Sequence, residues 1–227
     1  MVWLDGVTKT YRLGKEGMVT AVQAVDLDVA RGEFLVITGR SGAGKTTLLN
    51  LVAGLTRPTD GRIVWGDVDL WRMPDAQRSH LRNRRLGFVF QFASLLPSLT
   101  VAENVALPTA FGSHRREPGA HERASELLRT VGLADKRDAY PRQLSAGQQQ
   151  RVVIARSLIN DPEMLLADEP TSNLDAATEC EMMALFAEIH AMRGVTILMV
   201  THAPQFVPGC ARLVEMADGA ICARGSA

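Results

Sequence analysis

Gly39-Arg40-Ser41-Gly42-Ala43-Gly44-Lys45-Thr46 decides how the rest of the chain is read, because it fits the pattern G-x-x-x-x-G-K-[ST] at every defined position. Its flanks agree with the motif: residues 33–38 read as a short buried strand entering the loop, and residues 46–53 as the helix leaving it. Gly39, Gly42 and Gly44 let the backbone curl so that successive N–H groups face one anion, with the helix N-terminus adding partial positive charge. Lys45 is then placed to reach the β- and γ-phosphates of a nucleotide. Thr46 is placed to put its hydroxyl on a Mg²⁺ that bridges the same phosphates. A glycine-rich turn carrying a lysine by chance has no reason to sit between such a strand and such a helix.

The 227 residues suffice for one large α/β domain or for a core with a small inserted subdomain, and a hydrophobic content of 46% supplies a sizeable core. Lys plus Arg and Asp plus Glu each number 25, so the formal net charge is zero and no global field marks a nucleic-acid binder. Cys180, Cys210 and Cys222 are odd in number and outside any C-x-x-C spacing. That argues against a disulfide framework or a zinc site and suits a reducing cytosol. No apolar run approaches the roughly 18 residues of a membrane span, and Met1-Val2-Trp3-Leu4-Asp5 does not open a signal peptide. Any membrane role is therefore expected to need a partner chain.

Residues 2–13 and 19–29 read as strands, with the turn between them at 14–17; in the second, Val25, Leu27 and Val29 alternate with Ala24, Asp26 and Asp28. Together they predict an antiparallel lobe beside the loop. Tyr11 in the first strand admits two readings, an aromatic stacked on a nucleotide base or a buried or edge-strand tyrosine. Residues 57–61 read as a turn, 62–65 and 68–70 as strand, and 74–85 as a helix that sets Arg78, Arg82 and Arg85 on one face. A solvated basic face and a lipid-headgroup or partner contact both fit that spacing. Residues 86–90 form a second buried-type strand ending on Gln91, at the carboxyl edge where such sheets bind ligands.

Between there and about residue 160 the strand signal gives way to helical spacing at 101–111, 120–131 and 146–159, punctuated by Pro97, Pro108, Pro118 and Pro141. Strand returns with Met164-Leu165-Leu166-Ala167-Asp168-Glu169. Asp168 is the acidic partner that completes Mg²⁺ coordination opposite a P-loop. Glu169, one residue on, is expected to point elsewhere by strand alternation, free to act as general base on an attacking water. A helix at 176–192, a buried strand at 195–200 followed by His202, and a closing hairpin through Asp218-Gly219 complete the chain. His202 falls at the sheet edge that carries the P-loop, Gln91 and Glu169, where it could bond the γ-phosphate or the base. The fold predicted is α/β: a P-loop NTPase core with an antiparallel β lobe, about 1–91 and 161–227, and an inserted α-helical subdomain, about 92–160.

Leu144-Ser145-Ala146-Gly147-Gln148, just before the helix at 149–159, resembles the L-S-G-G-Q signature of ATP-binding cassette (ABC) ATPases. Gln91 resembles the family's Q-loop, Asp168-Glu169 its Walker B pair, Ser172-Asn173-Leu174-Asp175 its D-loop and His202 its switch histidine, all in the family's order. The resemblance covers nearly the whole chain and departs from the pattern at Ala146, where glycine is usual. Alanine can present the same N–H if its φ is negative.

What the resemblance implies is an ATPase in which ATP is held by Tyr11, by Gly39, Arg40, Ser41, Gly42, Ala43 and Gly44, and by Lys45, Thr46 and Thr47. Mg²⁺ would be held by Thr46, Gln91 and Asp168, with Glu169, His202 and Gln91 acting in catalysis. It also implies a head-to-tail homodimer in which Ser145, Ala146, Gly147 and Gln148 bind the partner's ATP, closing on ATP and opening after hydrolysis.

Phe88-Val89-Phe90-Gln91, the run from Leu95 to Pro108 and Ala167-Asp168-Glu169-Pro170-Thr171-Ser172-Asn173-Leu174-Asp175 look like the bacterial macrolide-exporter and lipoprotein-releasing group. In that group the ATPase drives a separate or fused membrane subunit; with no membrane-spanning run in this sequence, the permease is expected to be a different polypeptide, docked near residues 92–99, with the ATPase on the cytoplasmic face of the inner membrane. The apolar character of 92–99 fits such an interface, and it also fits packing of the helical subdomain. Two other functions stand beside this one. A soluble ABC ATPase of DNA repair or translation would be expected to carry a long coiled coil or a second P-loop, and this sequence has neither. A sugar- or metal-importer ATPase often adds a C-terminal regulatory domain, for which little chain follows His202.

Overall fold

The computed structural model describes residues 1–14, 17–111 and 119–224. Lys15 and Glu16 of the expected turn, and Pro118, lie outside the described residues. The chain falls into two compact units, Met1–Ser79 with Thr196–Ala227, and His80–Val195.

The first unit begins with β1 (Val2–Leu13) and β2 (Gly17–Val29), which pair antiparallel. β4 (Asp60–Trp65) pairs antiparallel with the other side of β1, and β5 (Val68–Asp69) with β4, giving the order β2-β1-β4-β5. This is the predicted β lobe. The alternation read in β2 is borne out: Val25, Leu27 and Val29 are buried, Ala24, Asp26 and Asp28 exposed. β1 is flanked by β2 and β4 up to Thr8, and from Thr10 onward, Tyr11 included, it pairs with β2 alone, so Tyr11 stands at a local edge. Leu70 begins a short 3-10 turn where strand was expected, and Asp69 caps it by accepting from the Trp71 N–H at 2.9 Å.

β3 (Phe34–Thr38), the strand before the P-loop, is buried at all five positions. It runs parallel to β8 (Thr196–Thr201) on one side and to β9 (Arg212–Ala217) on the other, and β10 (Ala220–Arg224) closes antiparallel on β9. Unbroken apolar runs such as Phe34-Leu35-Val36-Ile37 suit a parallel sheet covered on both faces. The hairpin turn is the one read from sequence: Asp218 and Gly219 have φ of 48° and 81°, the double left-handed conformation of a two-residue turn. α1 (Lys45–Val52) follows the P-loop, and its buried Leu48, Leu49, Leu51 and Val52 enter the core. Trp65 fastens the β lobe to it, donating from Nε1 to the Val52 carbonyl at 3.0 Å.

α2 (Asp75–Arg85) buries no residue, yet its arginines are not a free solvated face. Arg78 donates to the Met73 carbonyl at 2.8 Å and to Asp75 at 3.0 Å, with its guanidinium 4.2 Å from the Trp71 ring centroid. In the second unit, Arg85 donates to Glu163 at 2.9 Å. That unit holds β6 (Leu86–Val89) and β7 (Met164–Asp168), paired in parallel, with α3 (Val101–Ala106), α4 (Ala120–Thr130), α5 (Ala146–Leu158) and α6 (Ala176–Arg193). The helical stretch expected between residues 92 and 160 carries α3, α4 and α5. Buried Val101, Val105, Ala124, Leu128, Val152 and Val153 are their shared core.

Candidate functional site

In the first unit the P-loop leaves β3 at Thr38, which lies in register with Thr201, the last residue of β8. Gly39 and His202 therefore leave the carboxyl ends of neighbouring strands, with His202 exposed. The loop is shaped by close backbone contacts. A Cβ at Gly39, whose φ is 149°, would stand 2.1 Å from the Met216 carbonyl oxygen, and one at Gly44, with φ of 98°, would stand 2.0 Å from that of Ala21. Gly42 has φ of 82° and open space around it, so its conformation alone demands glycine.

Gly44 is the N-cap of α1 and offers no side-chain acceptor to the helix's first N–H groups. Those N–H groups stand at the positive end of the helix dipole, the end that favours an anion. Lys45 is buried, and its ammonium donates to the Gly39 and Arg40 carbonyls at 2.7 and 3.2 Å, which holds it along the loop it serves. Arg40, Ser41 and Thr46 are exposed, while Ala43 is buried and Thr47 is half-buried. Tyr11 is partly exposed on β1, with Lys9 Nζ 5.0 Å from its ring centroid. The buried reading of Tyr11 does not hold.

In the second unit Val89 of β6 pairs with Ala167 of β7, so Gln91 and Asp168-Glu169 also leave the carboxyl ends of neighbouring strands. The Gln91 backbone carbonyl accepts from Asn173 Nδ2 at 3.3 Å, and the Phe90 carbonyl from buried Gln150 at 3.1 Å. Gln150 was not singled out from the sequence. Its position in a run of three glutamines at the start of a helix gives no sign that the third one points inward. One expectation needs correction. Glu169 does not owe its direction to strand alternation, because β7 ends at Asp168 and Glu169 has φ of 46°. A left-handed backbone at a non-glycine residue costs about 1–3 kcal/mol and persists only where its surroundings impose it.

The signature segment forms the start of α5. Ser145 is its N-cap, accepting from the Gln148 N–H at 3.3 Å while Gln148 Oε1 accepts from the Ser145 N–H at 3.0 Å. This capping box uses Ser145 and Gln148 on the helix itself. The first N–H groups of α5, those of Ala146 and Gly147, have no intrahelical acceptor, so an anion can take them. Ala146 is helical and is not among the described non-glycine residues with positive φ, so the condition under which alanine substitutes for glycine is met. Gly147 is needed for another reason: a Cβ there would lie 2.7 Å from Cγ2 of Thr178 in α6.

Among the described residues no three His, Cys, Asp or Glu side chains converge to hold a metal by themselves.

The family model described as "ABC transporter" matches residues 22–172. The chain is 46% identical to the lipoprotein-releasing system ATP-binding protein LolD of Anaeromyxobacter dehalogenans, over 99% of this chain and 93% of that protein. It is 44% identical to the macrolide export ATP-binding/permease protein MacB of Syntrophobacter fumaroxidans, over 97% of this chain but only 31% of that longer protein. Among solved structures it matches the ATP-binding cassette MJ0796, a dimer in a post-hydrolysis state bound to ADP and Pi. The TM-score is 0.89 at 38% identity, over 100% of this chain and 98% of that one. With a P-loop of the required geometry and these likenesses along its whole length, the chain belongs to the ABC transporter family, as one of its ATP-binding, ATP-hydrolysing cassettes.

Proposed function

We propose that the protein is the ATPase subunit of a transporter of the macrolide-export and lipoprotein-release kind, driving a separate membrane permease from the cytoplasmic face of the inner membrane. The observation that carries this reading is a pair of differently built anion sites on one chain: α1, capped only by Gly44, and α5, whose capping box leaves its first N–H groups to a ligand. One chain needs only the first for its own ATP. The second has a use when two copies pair head to tail, each signature closing on the other's nucleotide. The dimer reported for the MJ0796 cassette supports this arrangement.

In the reaction, Lys45 and the loop N–H groups hold the β- and γ-phosphates, and Thr46, Asp168 and Gln91 would hold a Mg²⁺, which would supply further positive charge to them. Glu169 takes a proton from the water whose oxygen attacks the γ-phosphorus as ADP leaves, and His202 holds the γ-phosphate and the base in register. Tyr11 stacks on the base. The domain division follows the family: core and β lobe at 1–91 and 161–227, helical subdomain at 92–160. Exposed Phe92 and Leu96 are offered for the permease. Their loop is held from within by Asn104, whose amide donates to the Leu96 and Leu99 carbonyls, both at 3.1 Å.

Glu169→Gln tests the core of the reading. Turnover should fall by about 10²–10⁴ while ATP still binds. A closed dimer should then accumulate on a sizing column. ATP hydrolysis at the parent rate by a folded Glu169→Gln protein with Mg²⁺ present would remove Glu169 as the base.

A further inference from the structure

Glu169 sits in a conformation that its own residue type disfavours, and it precedes Pro170, which further restricts its backbone. Its surroundings must hold it there, and the turn after it is part of them. Two backbone bonds build the turn that follows, Ser172 N–H to the Glu169 carbonyl at 3.3 Å and Leu174 N–H to the Thr171 carbonyl at 3.0 Å. Between them lies Thr171, 2% exposed, whose hydroxyl donates to Glu179 Oε1 at 2.6 Å. Glu179 stands in the first turns of α6, a helix start fixed by Asp175, which accepts from the Thr178 N–H at 3.0 Å and the Thr178 hydroxyl at 2.8 Å. The Thr171–Glu179 bond thus ties the middle of the turn to a rigid element. Thr171 is too buried to exchange this partner for water.

We infer that Glu179 is a positioning residue for hydrolysis, acting through Thr171 to hold the turn that carries Glu169 in its strained, reactive orientation; this rests on Glu169 being the base. Glu179 belongs to none of the nucleotide motifs, and it is placed to act through Thr171 and not on a reacting atom. Its effect should therefore appear in turnover and not in ATP binding, because misplacing a catalytic group by about 1 Å costs up to about 100-fold in rate.

The test measures steady-state and single-turnover hydrolysis of radiolabelled ATP, the dissociation constant for ATP and the melting temperature. It uses Glu179→Ala, Thr171→Val, the conservative Glu179→Gln and Thr171→Ser, and the pair Glu179→Ala with Glu169→Gln. Expected is a loss in kcat of about 10-fold or more for the first two, at nearly unchanged ATP affinity, with most of the rate restored by Gln or Ser. The loss should vanish in the Glu169→Gln background, since a group that acts only through Glu169 has nothing left to position. The inference fails if the loss persists in that background, follows the melting temperature, or is not relieved by Glu179→Gln. It also fails alone if Glu169→Gln is inactive while Glu179→Ala turns over normally. Parent-rate hydrolysis by Glu169→Gln would instead overturn the base assignment, and the inference with it.

Discussion

Two glycines of the P-loop share a left-handed backbone and differ in what surrounds them, so replacing each with alanine separates conformation from contact. At Gly42, φ is 82° and nothing lies within 4 Å of an added Cβ. Gly42→Ala should therefore cost only the left-handed penalty, about 1–2 kcal/mol. At Gly44, φ is 98° and the added Cβ would meet the Ala21 carbonyl oxygen at 2.0 Å, with Met216 Cε at 3.0 Å. The methionine can swing aside, but the carbonyl belongs to β2 and moves only with its strand. Forcing that shift adds about 1–3 kcal/mol to the same conformational penalty. For a chain of this size each kcal/mol lowers the melting temperature by about 2–4 °C, so Gly44→Ala should melt about 2–12 °C below Gly42→Ala. Thermal unfolding of the two variants side by side, without nucleotide, reads the difference directly. Gly44→Ala melting at or above Gly42→Ala would refute the claim that packing against β2 dictates this glycine.

Lys45→Ala removes the charge that cradles the β- and γ-phosphates, so ATP affinity should fall in a titration with fluorescent nucleotide; an unchanged dissociation constant in a folded variant would move the pocket elsewhere. Ser145→Arg should leave one ATP bound per chain and abolish the ATP-induced dimer in sedimentation, because a bulky cation would fill the α5 anion site. Normal dimers with normal turnover would rule out the head-to-tail pairing. Asp175 is held below the usual carboxylate range, first by the Thr178 N–H and then by the Thr178 hydroxyl. Its folded-state pKa is depressed, so its contribution to stability is present above the ordinary carboxylate pKa and is lost as pH falls through the lowered value. The melting-temperature gap between parent and Asp175→Asn should accordingly be widest near neutrality and close in acid.

Much of the α/β core was readable because its signals are local. The apolar runs of β3 and β8, the alternation of β2 and the Asp218-Gly219 turn each announce themselves within a few residues. The P-loop was readable for the same reason. What escaped depends on contacts distant in sequence. Arg85 shares a helix face with Arg78, but only tertiary packing pairs it with Glu163, a residue 78 positions away. Gly147 is legible as part of a motif, yet its need for a missing side chain is set by Thr178 in another helix. The alternation argument for Glu169 fails because strand ends are not marked to the residue, and one position decides whether alternation applies.

The hairpin between β9 and β10 bears on the order in which this protein is made. Its Gly219 N–H donates to the Ala43 carbonyl at 3.1 Å, its Gly219 carbonyl accepts from the Gln23 N–H at 2.8 Å, and Met216 walls the loop beside Gly39. These struts come from a segment that is made well after the loop they brace. A nascent chain therefore carries its phosphate-binding sequence long before it can hold that sequence in shape. The order of the sequence thus makes the shape of this loop depend on the later synthesis of its hairpin brace.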